Sequence, residues 1–186
     1  MKRKIVIAAV TAAVLVGGGA ATAVAFADDD GGAKGSGTAR VSVGEAAASA
    51  LRAVPGTVTE AELDDEDGGP VWELDVYGSD KVWHDVTVDA GSGRVLGKHT
   101  SDDNDDRDRH APRSAPVTLD RAAAAATGAS PGTVTSVELE GRSGGAAHWE
   151  VDVRGKDGRA HELNVDAQSA RVTVDRSDDE HDSDDD

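Results

Sequence analysis

The chain has no cysteine among its 186 residues. That excludes a disulfide framework, a thiolate metal site, a cysteine nucleophile and a lipid-modified cysteine anchor. Basic residues are scarce, with 19 Lys and Arg against 36 Asp and Glu and a formal net charge of −17. Nucleic-acid phosphates demand clustered Lys and Arg, so this balance argues against a nucleic-acid partner and toward cations, basic polypeptides or simple solubility. Lys, Asn and Phe are sparse beside Ala, Gly, Val, Arg and Asp, a bias that points to GC-rich bacterial coding DNA. Catalytic signatures are missing too: there is no Ser-His-Asp order with a nucleophile elbow, no His-Glu-x-x-His, no phosphate-cradling glycine loop and no dinucleotide fingerprint. The chain therefore reads as a non-enzyme with no cofactor.

The start of the chain carries an address. Lys2, Arg3 and Lys4 precede an apolar run from Ile5 to Val16 and a small-residue stretch ending Ala25-Phe26-Ala27, the three parts of a secretory signal. Cleavage after Ala27 starts the mature chain at Asp28 and takes its formal charge from −17 to −20, because three basic residues leave. The competing reading is an uncleaved membrane anchor, since Ile5 to Ala27 is long enough to span a bilayer, which needs about 20 apolar residues. Gly17, Gly18 and Gly19 interrupt that run, and no basic cluster follows Ala27. Both features favour export to a secreted or cell-envelope location.

An internal repeat sets the architecture. Pro55-Gly56-Thr57-Val58-Thr59 returns 76 residues on as Pro131-Gly132-Thr133-Val134-Thr135, and Trp72-Glu73-Leu74-Asp75-Val76 returns 77 residues on as Trp149-Glu150-Val151-Asp152-Val153. The second offset holds through His84 and His161 to Val88-Asp89-Ala90 and Val165-Asp166-Ala167. The expected organisation is a signal peptide at 1–27, a polar segment at 28–40, repeat 1 at 41–97, an acidic, proline-containing linker at 98–116, repeat 2 at 117–175 and an acidic tail at 176–186. Modules under about 60 residues are marginal alone, so the copies are expected to lean on each other or on a partner.

Each copy reads as one helix followed by strands. Ser42 and Glu45 form a capping pattern ahead of an apolar series at Val43, Ala46, Ala47, Ala50, Leu51 and Val54, which is helical spacing. Pro55-Gly56 ends it. In copy 2 Thr118 caps and Pro131-Gly132 stops. Three alternating runs follow, and positions apolar in both copies mark the inward face. These are Thr57, Thr59, Ala61 and Leu63; Trp72, Leu74 and Val76; and Val82, His84, Val86 and Val88, with a short fourth run at Arg94 to Leu96. The expected fold class is α+β, two tandem modules, each one helix packed on a three- to four-stranded antiparallel sheet.

The outward positions carry candidate chemistry. Glu62, Glu73, Asp75, Asp85 and Asp89 match Glu138, Glu150, Asp152, Glu162 and Asp166, a carboxylate at every one. Like charges on neighbouring strands repel, so these ten are candidate cation-binding residues, for weak calcium or a basic partner. The alternative is a solvated face in an acidic protein. His84 and His161 are equivalent and are either ligand or base, or half-buried structural histidines; no further ligands for a zinc site accompany them. The acidic tracts at 102–108 and 178–186 lack the central glycine and spaced glutamate of a calcium loop. Trp72 and Trp149 are core anchors. Trp83 falls on the outward face of copy 1 and is Ala160 in copy 2, as an exposed partner-contact residue would be, which makes copy 1 the expected place of binding.

The capped Ala-rich helix, the Pro-Gly stop, Trp-Glu-Leu-Asp-Val and the ending Val88-Asp89-Ala90-Gly91-Ser92-Gly93-Arg94-Val95 resemble the PepSY domain. Copy 2 departs from the pattern where Ala170 replaces the turn glycine. The resemblance implies a helix on an antiparallel sheet, an exported or membrane-linked location, no catalytic residues, and a role in binding or restraining peptidases, as in propeptides of thermolysin-like metalloproteases. No protease domain follows in this sequence, so restraint would act on a separate protein.

Overall fold

A computed structural model describes residues 39–66, 69–101, 112, 115–141 and 146–174. The expected signal peptide, most of the 28–40 segment, the centre of the linker and the acidic tail lie outside these residues. Among the described residues no helix is long and apolar enough to cross a membrane.

Copy 1 forms α1 (Val43–Ala53), β1 (Gly56–Glu66), β2 (Gly69–Gly78), β3 (Trp83–Asp89) and β4 (Val95–Thr100). Copy 2 forms α2 (Leu119–Ala129), β5 (Gly132–Glu140), β6 (His148–Gly155), β7 (Ala160–Asp166) and β8 (Val172–Val174). The fold class is α+β, but the strands do not make two small sheets. They form one eight-stranded antiparallel sheet in the order β4-β3-β2-β1-β5-β6-β7-β8. The junction is β1 against β5, where Glu60, Ala61 and Glu62 pair with Glu138, Val137 and Ser136. A marginal module enlarges its core by joining edge to edge, and the join also removes two exposed strand edges.

Local chemistry accounts for the elements. The Ser42 hydroxyl accepts from the Glu45 amide at 3.4 Å while the Glu45 carboxylate accepts from the Ser42 amide at 2.9 Å, a closed capping box. Thr118 holds the N-cap position of α2, yet its hydroxyl donates to Asp120 and makes no bond to the helix backbone. Gly56 and Gly132 serve close approach as well as the turn: a Cβ there would collide with the carbonyl oxygens of Tyr77 and Arg154.

One core runs under both copies. Trp72, Leu74 and Val76 of β2, Val86 and Val88 of β3, and their equivalents Trp149, Val151, Val153, Leu163 and Val165 are buried against Ala46, Ala47, Ala50, Ala122, Ala123 and Ala126 of the helices. Small helix residues let the backbones approach the sheet closely, and the two tryptophans fill the volume. Each indole also donates to the carbonyl just ahead of its own repeat's helix, Trp72 to Val41 at 2.9 Å and Trp149 to Val117 at 2.8 Å.

Two sequence expectations need correction. The inward series of the first strand does not begin at Thr57, which is exposed; Val58 is in the core instead. A β-bulge between Val58 and Glu60, repeated between Val134 and Ser136, inserts Thr59 and Thr135 and switches the face on which the strand's side chains lie. The fourth strand is also longer than expected in copy 1, running to Thr100 and taking in residues assigned above to the linker.

Candidate functional site

The register places the outward carboxylates in two adjacent rows across the sheet. One row runs Asp85, Asp75, Glu60, Glu138 and Glu150 over five consecutive strands, β3 to β6, each residue directly opposite the next. The other runs Glu73, Glu62, Ser136, Asp152 and Glu162, interrupted only by the serine. Directly opposed side chains stand about 4.5–5.5 Å apart at Cβ. The β1·β5 joint therefore fuses the acidic faces of the two copies into one patch facing away from the helices.

Burial and crowding act on these groups. The Glu138 carboxyl is pushed above the usual carboxylate range by burial first, then by Glu140 and Glu150. Glu150 is raised in the same way, by burial and then by Glu162, Asp152 and Glu140. The like-charge contributions to each shift, each smaller than that of burial, are what an incoming positive charge would relieve. In copy 1, Asp75 and Asp85 are only 5% and 9% exposed, and His99 on β4 meets Asp85 at 3.1 Å. Their counterparts Asp152 and Glu162 are half-buried and exposed. The accessible carboxylates of the patch are therefore Glu60, Glu62 and Glu73 of copy 1 together with Glu138, Glu150, Asp152 and Glu162 of copy 2.

Two of the ten candidates do another job. Asp89 and Asp166 sit at the turns after β3 and β7. There Asp89 Oδ1 accepts from the Ser92 amide at 2.7 Å, and Asp166 Oδ1 from the Ser169 amide at 2.7 Å. The serine hydroxyls, and after them these amide bonds, hold both carboxyls below the ordinary range. Glu60 joins the patch instead. Its equivalent is Ser136, so a search for carboxylates present in both copies passes over it.

Trp83 lies on the outward side, but it is 8% exposed and packs on Tyr77 with ring centroids 5.2 Å apart; the expected exposure is not found. His84 is half-buried and meets Asp80 at 3.0 Å across the β2–β3 turn. A Cβ on Gly78 would strike both side chains, and one on Gly155 would strike Asp157 and His161. The recurring Gly-x-Asp-x-x-x-His spacing is the signal that would have revealed this arrangement. Among the described residues no group of three or more His, Asp or Glu is arranged to hold a metal ion. The arrangement suits a broad, negatively charged contact surface.

Comparison with known proteins agrees with the repeat. No curated protein matches the sequence. Among solved structures the chain is similar to a putative lipoprotein of Clostridium difficile 630, at 14% identity over 74% of this chain and 94% of that one, with a TM-score of 0.45. It is also similar to the YpmB protein from Bacillus subtilis, at 18% identity over 70% and 93% of the two chains, with a TM-score of 0.30. The family model for the peptidase propeptide and YPEB domain, PepSY, matches twice, at residues 40–99 and 116–173. With both repeats matched, the chain belongs to the PepSY family as a tandem pair.

Proposed function

We propose that this is an exported, non-catalytic binding protein that engages a basic partner protein, a secreted peptidase, and slows it. The family is described as a peptidase propeptide domain, and no catalytic signature stands beside the two copies. The observation that carries the partner's chemistry is the double carboxylate row, which a basic surface neutralises without a dedicated metal cage. Two copies sharing one sheet offer that surface as one continuous face. Incubation of the chain from Asp28 onward with metallopeptidases of the same culture fluid is expected to slow at least one of them, with the effect fading as salt rises. No effect on any of them removes the peptidase partner.

A second reading, cation binding or sensing in the cell envelope, is favoured by the raised carboxyls of Glu138 and Glu150. Weak calcium binding would relieve that crowding. It predicts a rise in melting temperature at about millimolar calcium, typical of weak extracellular sites, that disappears in Asp75→Asn and Asp152→Asn. No rise removes this reading.

A further inference from the structure

Among the described residues the sheet has an open flank at β4. Leu96 to Thr100 are all exposed, and among the described residues Leu96 is the large hydrophobic side chain most open to solvent, at 48%. The backbone there has a defined direction. The Ser101 amide donates to the Trp83 carbonyl at 2.9 Å, and Asp85 pairs with His99 and Thr87 with Gly97. In an antiparallel ladder hydrogen-bonded and non-bonded pairs alternate. The amides and carbonyls of Lys98 and Thr100 therefore point away from β3, along a side where no described strand lies.

Beside this edge, at its helix-facing corner, is a groove of about 360 Å³ lined by Ala53, Val54, Pro55, Asp80, His84 and Lys98, among others. Ala53, Val54 and Pro55 give its lining an apolar part. Its rim carries the Asp80 carboxylate, held below the ordinary range by the Val82 amide, and the C-terminal end of α1, which favours positive charge. One ammonium group is already accommodated there: Lys98 Nζ donates to the Ala53 carbonyl at 3.0 Å.

We infer that the β4 edge takes an extended, Lys- or Arg-bearing segment of a partner as a ninth strand, with one long side chain laid into the groove. Main-chain bonds to Lys98 and Thr100 give affinity, and the groove selects an aliphatic stem with a cationic tip. Charge favours this occupant over a second copy, because two chains of net charge −17 repel each other. The inference rests on the binding-protein reading above and supplies a mode of engagement for it.

The test uses the full chain and three synthetic peptides: alternating Val-Lys, alternating Val-Glu, and Val-Lys with alternate backbone amides N-methylated. Val-Lys is expected to bind and to slow hydrogen exchange at the Lys98 and Thr100 amides. N-methylation is expected to weaken it about tenfold, since the affinity is main-chain in origin, and Val-Glu is expected to bind more weakly than Val-Lys. Lys98→Pro removes an outward amide without touching the β3 ladder and should match the N-methylation effect, whereas Lys98→Ala should not. Binding that ignores both N-methylation and Lys98→Pro overturns the inference, as does protection confined to β5–β7, or a dimer that Lys98→Pro dissolves. Should Lys98→Pro fail to fold, the N-methylated peptide still decides. A slowed peptidase with no peptide binding would move the partner to the acidic rows. Peptide binding with no slowed peptidase would retain the edge and remove the inhibitor role.

Discussion

Ala61 and Val137 face each other at the centre of the sheet, both fully buried, and they are the same position of the two repeats, 76 residues apart. The pairs on either side respect that symmetry: Glu60 faces Glu138, the counterpart of Glu62, and Glu62 faces Ser136, the counterpart of Glu60. The copies are thus related by an approximate twofold axis through this pair, the arrangement of a symmetric dimer fused into one chain. Since one core runs under both copies, the folded part is expected to melt in a single transition. Trp149→Ala should lower the whole transition, costing about 3–5 kcal/mol as truncation of a buried tryptophan does. Two separate transitions in calorimetry would show independent copies.

The carboxylate rows work against the fold. Glu138 stands between Glu60 and Glu150, with Glu140, Glu62, Asp152 and His148 nearby on β5, β1 and β6. Glu138→Gln should raise stability at neutral pH by about 0.5 kcal/mol, the scale of a like-charge cross-strand pair. Urea denaturation at pH 7 measures it, and a loss of stability would mean that Glu138 has a compensating partner.

The pH profile follows from shifts of opposite sign. Glu138 and Glu150 have folded pKa values above their unfolded ones, so they cost stability above the raised values and the cost disappears as pH falls toward 4.5. Asp89, Asp166 and Asp80 have folded values below the ordinary 3.8. Their contribution is present above 3.8 and is lost as pH falls through the folded values. Stability should therefore peak on the acidic side of neutrality and collapse in strong acid. Melting temperatures from pH 3 to 8 test this, and a maximum at the alkaline end would contradict it.

Two turns store backbone strain in opposite copies. After β7, Ala170 is left-handed at φ 59° where copy 1 has Gly93 at 73°; before β3, Lys81 is left-handed at 66° where copy 2 has Gly158 at 81°. Ala170→Gly and Lys81→Gly should each stabilise by about 0.5–1 kcal/mol, because glycine adopts this region without steric cost. Gly93→Ala should destabilise by a similar amount. Chemical denaturation of the three variants checks the signs.

Much of this architecture is written in the sequence. The repeat, both helices, the Pro-Gly stops and the inward Trp72 and Trp149 series can all be read from spacing, because period and punctuation are local properties. The β1·β5 joint cannot, since strand edges carry no side-chain signature of what pairs with them. The bulges at Thr59 and Thr135 escaped for a related reason: alternation looks unbroken until the ladder shows one residue too many. Carboxylates common to both copies were legible, yet only register separates those of the rows from Asp89 and Asp166, which tie their own turns. The packing of Trp83 on Tyr77 is not legible, because an outward direction says nothing of what packs beside it.

The fused acidic face is proposed to bind a basic peptidase. The most direct test of that binding is the inhibition constant of the chain against a secreted metallopeptidase of the same culture fluid, measured for the native sequence and for the triple variant Glu138→Lys, Glu150→Lys, Asp152→Lys. The account predicts slowing by the native chain and loss of at least about tenfold in potency for the variant, as expected when complementary charges are reversed. Equal potency of the two, or no slowing by either, would contradict it.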